Sequence, residues 1–213
     1  MSNTDRPGTP PLRLSRDQFY SKLREGYAQQ YWGDRDGSDI FHPNGFPSLP
    51  TVIYDFFCEQ IAHDGKVLDL GCGNGLMVRH LTERSRFRLI PYGVDFLGAS
   101  IRQAQEVILP QFASHFSVGN LVNYPFPHAP YDFIFSSPDN VYPTDRSAFL
   151  DALPSKCARD GCVIFYSYRD MLTNSQREWV GEVPELSRLP LERKDGPEVS
   201  LGIWRVAGGC SGA

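Results

Sequence analysis

The residues best suited to chemistry are concentrated in Val67-Leu68-Asp69-Leu70-Gly71-Cys72-Gly73-Asn74-Gly75. An apolar strand ends in an acid, and a turn with glycine at every second position opens a helix. Glycine has no Cβ, so the backbone turns sharply there and a ligand can lie against it. The helix that follows offers unpaired N–H groups. The G-x-G-x-G spacing differs from the G-x-G-x-x-G of a dinucleotide site, which seats a pyrophosphate on the helix N-terminus. No G-K-[ST] follows, which excludes a P-loop. An acid at the strand end repels phosphate and suits an ammonium group. A second acid, Asp95, ends Tyr92-Gly93-Val94-Asp95, about twenty residues after the turn, where a carboxylate can accept from ribose hydroxyls. Together these residues describe a ligand with a ribose and an amine but no phosphate. Cys72, inside the turn, reads as a small filler rather than a nucleophile.

The surrounding elements must hold these groups in place. Residues 1–14, rich in Pro, Ser, Thr and Gly, read as a mobile arm. Ser15 and Gln18 have capping-box spacing, and Phe19, Leu23, Tyr27 and Tyr31 recur every four residues along one helical face. That stripe suits core packing or a substrate wall. Residues 33–50, with Gly33, Gly37, Pro43, Gly45, Pro47 and Pro50, form a long loop of the kind that serves as a lid. A second helix starts near Pro50, buries Val52, Ile53, Phe56, Phe57 and Ile61, and ends at His63-Asp64-Gly65.

Strand and helix then alternate: strands at 66–70, 88–94, 116–118, 131–136 and 162–167, with helices at 76–84, 100–109 and 145–157. This pattern predicts parallel βαβ units with both sheet faces covered. The tail differs, because 187–194 and 199–207 have no helix between them and should pair as an antiparallel hairpin. The expected division is an arm at 1–14, a helical cap at 15–64 and a ligand-binding core at 65–213.

Composition bounds the function. The chain has 213 residues, 41% of them apolar, and a net charge of -4. That suits a single packed domain and argues against a nucleic-acid partner, which calls for a basic footprint. There is no apolar run of about 18 residues for a membrane span and no signal-peptide pattern. Five cysteines without CxxC pairs indicate neither a disulfide framework nor a zinc site. The cytoplasm is the expected compartment, and a monomer or homodimer the expected state.

The stretch from Val67 to about Ser167 resembles the class I S-adenosylmethionine-dependent methyltransferase family. VLDLGCGNG is similar to that family's first motif and GVDFLGASIRQAQ to its second. Ser117-Val118-Gly119-Asn120 resembles the third, with Asn120 where the family usually has Asp. YDFIFSS resembles the fourth. The resemblance implies an α/β fold: a single three-layer Rossmann-like domain with a seven-stranded, mostly parallel sheet, a C-terminal antiparallel hairpin and an N-terminal helical cap.

The resemblance also implies S-adenosyl-L-methionine as cofactor. Asp69 would lie near its amine, with Gly71, Cys72 and Gly73 against the methionine part. Asp95 would hold the ribose, and Phe96 and Leu97 would flank the adenine. Asn120 and Leu121 would meet the adenine edge, Ser136 would sit beside the sulfonium, and Tyr27 or Tyr31 would cap it. The alternative for Asn120 is a simple turn residue.

Transfer of a methyl group is mainly a matter of alignment and, for alcohols or phenols, of proton removal. His42, Asp139 and Tyr142 are the candidate bases or positioners, and solvated loop side chains the alternative for His42 and Asp139. The fourth strand runs into Ser136-Ser137-Pro138-Asp139. It lacks both the [ND]-P-P-[YFW] of exocyclic base-nitrogen methylation and the Pro-Cys of cytosine C5 methylation. An enclosed small-molecule acceptor, methylated on O or N, is expected. The rivals are a protein or peptide side chain, and a non-methylating protein of the same fold.

Overall fold

The computed structural model describes residues 14–32, 49–168, 180–196 and 199–206, with side chains outside 27–32 and 49–52. Its centre is one seven-stranded sheet in the order β3-β2-β1-β4-β5-β7-β6. The strands are β1 (Gly65–Leu70), β2 (Leu89–Asp95), β3 (Phe116–Val118), β4 (Tyr131–Ser136), β5 (Cys157–Tyr168), β6 (Glu192–Asp195) and β7 (Val199–Arg205). β1 pairs in parallel with β2 and β4, β2 with β3, and β4 with β5. β7 runs antiparallel to both β5 and β6.

Period-two alternation supplies both faces. Val67, Phe133, Phe135, Ile164 and Tyr166 enter one apolar cluster with Ile53, Phe57 and Leu81. These last come from the helices α2 (Leu49–Cys58) and α3 (Leu76–Arg84). Leu68, Leu70, Ile134, Val163 and Phe165 enter a second cluster with Phe149 and Leu150 of α5 (Pro143–Ala152). The result is three layers. A further helix, α4 (Gly98–Gln103), continues into a π-helical turn, Ala104–Ile108.

Several boundaries depart from the sequence reading. α2 stops at Cys58, and Gln60 and Ile61 close it through turn hydrogen bonds to Phe57 and Cys58. The helix expected over 145–157 starts at Pro143 and ends at Ala152, followed by a 3-10 turn, Leu153–Lys156. β5 starts at Cys157, five residues early, because it passes through an irregularity in its pairing with β4 where Asp160 takes a φ of 65°. Gly161 is needed there, since a Cβ would lie 2.8 Å from the Asp132 carbonyl. The first two residues of the expected 187–194 strand fold instead as the end of a 3-10 turn, Pro184–Arg188, and 189–191 are irregular, so β6 begins at Glu192 and has only four residues.

The N-terminal helix α1 (Arg16–Trp32) begins with the expected box. The Ser15 amide donates to Gln18 Oε1 at 2.9 Å and the Gln18 amide to Ser15 Oγ at 3.3 Å. No helix among the described residues is long and apolar enough to cross a membrane.

Candidate functional site

The parallel strands β3, β2, β1, β4 and β5 present their C-terminal ends on one edge. The chain winds outward from β1 through β2 to β3, then returns past β1 to β4 and winds the other way, so a crevice opens at that reversal of strand order. The glycine turn sits there. Gly71, Gly73 and Gly75 have φ of 93°, 54° and 81°, left-handed values that glycine adopts at no steric cost. The amides of Gly71 and Cys72 both donate to the Val94 carbonyl, at 2.9 and 3.1 Å, which clamps the turn to the tip of β2. A Cβ on Gly71 would lie 2.6 Å from Asn140 Nδ2, so the side chain of Asn140 crosses the turn from the segment after β4.

Two buried acids flank this turn. Asp69 is 2% exposed and Asp95 5%. The Asp95 carboxylate accepts from the Gly73 amide at 2.9 Å and the Leu97 amide at 2.8 Å. Burial raises its pKa, while the amides of Leu97, Gly73 and Phe96 pull it back down. Asp69 has less help: the Tyr166 hydroxyl donates to its Oδ1 over a long 3.5 Å. Burial, and then the charge on Asp95, push Asp69 up to about 8 against that hydrogen bond. Cys72 is buried, and burial followed by the charges on Asp95 and Asp69 holds its thiol well above the usual range, as befits an inert filler. Ser136, at the end of β4, is fully buried and its hydroxyl has no partner among the described residues.

The other expected ligand contacts are distributed around this edge. Phe96 is half-buried, with the Arg24 guanidinium of α1 6.0 Å from its ring centroid. Asn120 is exposed, and its Oδ1 accepts from the Val122 amide at 2.9 Å, capping a 3-10 turn. Leu121 is buried in the second apolar cluster. Tyr27 and Tyr31 fall within α1, but their side chains lie outside the described residues, as does His42.

On the other side of the crevice, Asp139 is half-buried on the 3-10 turn Pro138–Asn140. The Tyr142 hydroxyl donates to the Leu14 carbonyl at 2.8 Å, and the Tyr142 amide donates to the Tyr20 hydroxyl at 3.3 Å. Phe19 meets Tyr142 edge-on at 5.4 Å, and Arg16 pairs with the buried Asp145. From Arg16 to Arg24 the helix rises about 12 Å. α1 therefore reaches from the start of α5 to the tip of β2.

Tyr166, Asn140, Tyr20 and the Arg16–Asp145 pair are site or flanking residues that the sequence reading missed. For Tyr166 a signal existed: in CVIFYS it stands two residues beyond Ile164, on the strand face shared with Val67 and therefore with Asp69.

Residues 67–161 match the family model described as a methyltransferase domain. The chain is 26% identical over 179 residues to the chloroplastic tocopherol O-methyltransferase of Arabidopsis thaliana, an alignment covering 75% of this chain and 51% of that protein. The chain thus spans about half the length of that relative. Among solved structures, a TehB-like S-adenosylmethionine-dependent methyltransferase from Corynebacterium glutamicum aligns with a TM-score of 0.55 at 17% identity, covering 87% of this chain and 99% of that one. The PH0226 protein of Pyrococcus horikoshii aligns with a TM-score of 0.60 at 16% identity, covering 87% and 98%. Both share the fold. Residues 67–161 are thus similar to a methyltransferase domain, set in a Rossmann-like α/β fold that the chain shares with these structures.

Proposed function

We propose that this chain is a class I methyltransferase that transfers a methyl group from S-adenosyl-L-methionine to an oxygen or nitrogen of a small organic molecule. The observation that carries the reading is the pair of buried carboxylates, Asp69 and Asp95, on adjacent strand tips around a turn of left-handed glycines. Such a site fits a ligand with an amine at one end and a ribose at the other. Gly71 and Gly73 bring no side chain of their own to the turn where the methionine part would lie, with the Asn140 amide across it at Gly71, and the Ser136 hydroxyl, without a partner among the described residues, supplies a polar atom at the strand end. Phe96 offers an apolar face for the adenine.

When bound, S-adenosylmethionine supplies an electrophilic methyl carbon and a neutral thioether leaving group. The chain's own residues do the rest. Asp95 braces the glycine turn while facing the ribose. Asp139, on the turn after β4, is the acceptor-side carboxylate and takes up the proton of a hydroxyl acceptor. Tyr142 is a positioning residue: its hydroxyl already donates to Leu14, so it ties α1 to the acceptor side. α1, extending across this edge, encloses the acceptor and excludes water. That enclosure, with the likeness to an O-methyltransferase of a small molecule, supports a small acceptor over a protein side chain.

Incubation with methyl-labelled S-adenosylmethionine and separate pools of small-molecule extract and of peptides tests this. Label is expected in the small-molecule fraction and absent with Asp95→Ala. Label confined to the peptides would overturn the acceptor class.

A further inference from the structure

The mechanism uses Asp69 only as a neighbour of the amine, yet its surroundings are unusual for a group that must attract a cation. Asp69 lies inside, 2% exposed, on the sheet face covered by α2. The titratable groups facing it are Asp95 from β2, Cys72 from the turn, Tyr166 from β5 and Tyr54 from α2. None is a cation, and among the described residues no Lys, Arg or His forms an ion pair with either acid. Two carboxylates in one dry corner cannot both ionise cheaply. Asp95 accepts two or more amide hydrogen bonds and is the better stabilised anion. Asp69 has one long phenolic donor, so the shared proton resides on it.

We propose that Asp69 and Tyr166 form a proton-releasing receptor for the ligand's ammonium: Asp69 is a neutral carboxylic acid in the free protein and gives up its proton as the ammonium docks. The step balances simply. The Asp69 O–H bond breaks, its proton leaves to solvent, and the carboxylate left behind faces the incoming ammonium, whose own protons stay in place. Tyr166 assists by donating to the new carboxylate. The free site is thereby spared an uncompensated buried charge, and a ligand without a cationic amine gains nothing from it. Burial and the neighbouring Asp95 holding the Asp69 carboxyl near 8 agree with this assignment. The inference rests on the ligand class named above.

The test is calorimetric titration of the whole chain with S-adenosylhomocysteine at pH 6.5, where the probe's α-amino group stays protonated, in buffers of different ionisation enthalpy. The expected result is release of roughly one proton per site, with affinity tightening about tenfold per pH unit between pH 5.5 and 7. Asp69→Asn should bind without proton release and without that slope. Tyr166→Phe should lose more affinity at pH 6.5 than at pH 8.5, whereas a packing role alone would cost the same at both. Wild-type binding with no proton release, or with uptake, overturns the proposal even where a variant fails to fold. No binding at any pH overturns the ligand class itself, and this inference with it.

Discussion

The Asp95 carboxylate grips the glycine turn through the Gly73 amide at 2.9 Å, 22 residues earlier in the chain. The acid expected to read a ribose is therefore also the clamp that sets the turn's shape. Binding and stability are coupled at this residue, and the two contributions separate by substitution.

Asp95→Ala removes a charge-assisted acceptor from two amides. It is expected to lower unfolding free energy by about 3 kcal/mol in urea melts and to abolish the thermal shift with S-adenosylmethionine. Asp95→Asn keeps one acceptor oxygen and should lose less stability, while binding still falls.

Gly71→Ala places a Cβ 2.6 Å from Asn140 Nδ2 at a φ of 93°. We expect a stability loss of about 1–3 kcal/mol and loss of cofactor binding. Gly26→Ala, in α1 with nothing within 4 Å of its Cβ, is the matched control and should be neutral or slightly stabilising.

Tyr142→Phe deletes the hydrogen bond to Leu14 and should cost about 1 kcal/mol. Its sharper effect should be on α1: faster proteolysis within 14–26 and a higher KM for the acceptor, with kcat less affected. A variant with wild-type cleavage and KM would remove Tyr142 from the positioning role. Asp139→Asn should instead lower kcat once the acceptor is a hydroxyl compound, and an unchanged rate would exclude Asp139 as the base.

The free protein should show an inverted pH response from Asp69. Its folded carboxyl is raised to about 8, well above an unfolded aspartate, so the folded state holds the proton that the unfolded state has lost. This contribution is complete below about pH 4 and declines as pH rises toward 8, by at most about 1.4 kcal/mol per unit. Urea midpoints between pH 5 and 8 should fall more steeply in wild type than in Asp69→Asn. Equal slopes would refute the shift.

Local signals carried much of this architecture. The strand-turn-helix at Val67–Arg84, the acid at Asp95 and the capping box at Ser15 are contiguous patterns whose physics is complete within a few residues, and they appear where expected. The arrangement around α1 was not legible, because Arg16–Asp145 and Tyr20–Tyr142 join residues more than 120 positions apart. Tyr20 even stands outside the every-fourth stripe. Boundaries failed where a turn overrode a pattern, as at Asp160-Gly161 and Pro184–Arg188. Asn120 carried two readings in the sequence, an adenine contact and a turn residue, and its side chain is engaged by its own turn.

Gly93 has a consequence for how this sequence can vary. A Cβ there would fall 2.6 Å from both Cys72 Sγ and a ring carbon of Phe116. The glycine turn, β2 and β3 thus divide one small volume among three side-chain positions. Enlarging any of the three demands trimming another, so positions 72, 93 and 116 should drift together among relatives. A lone Gly93→Ala should be rescued by shrinking Cys72 and Phe116 together, and by no remote change.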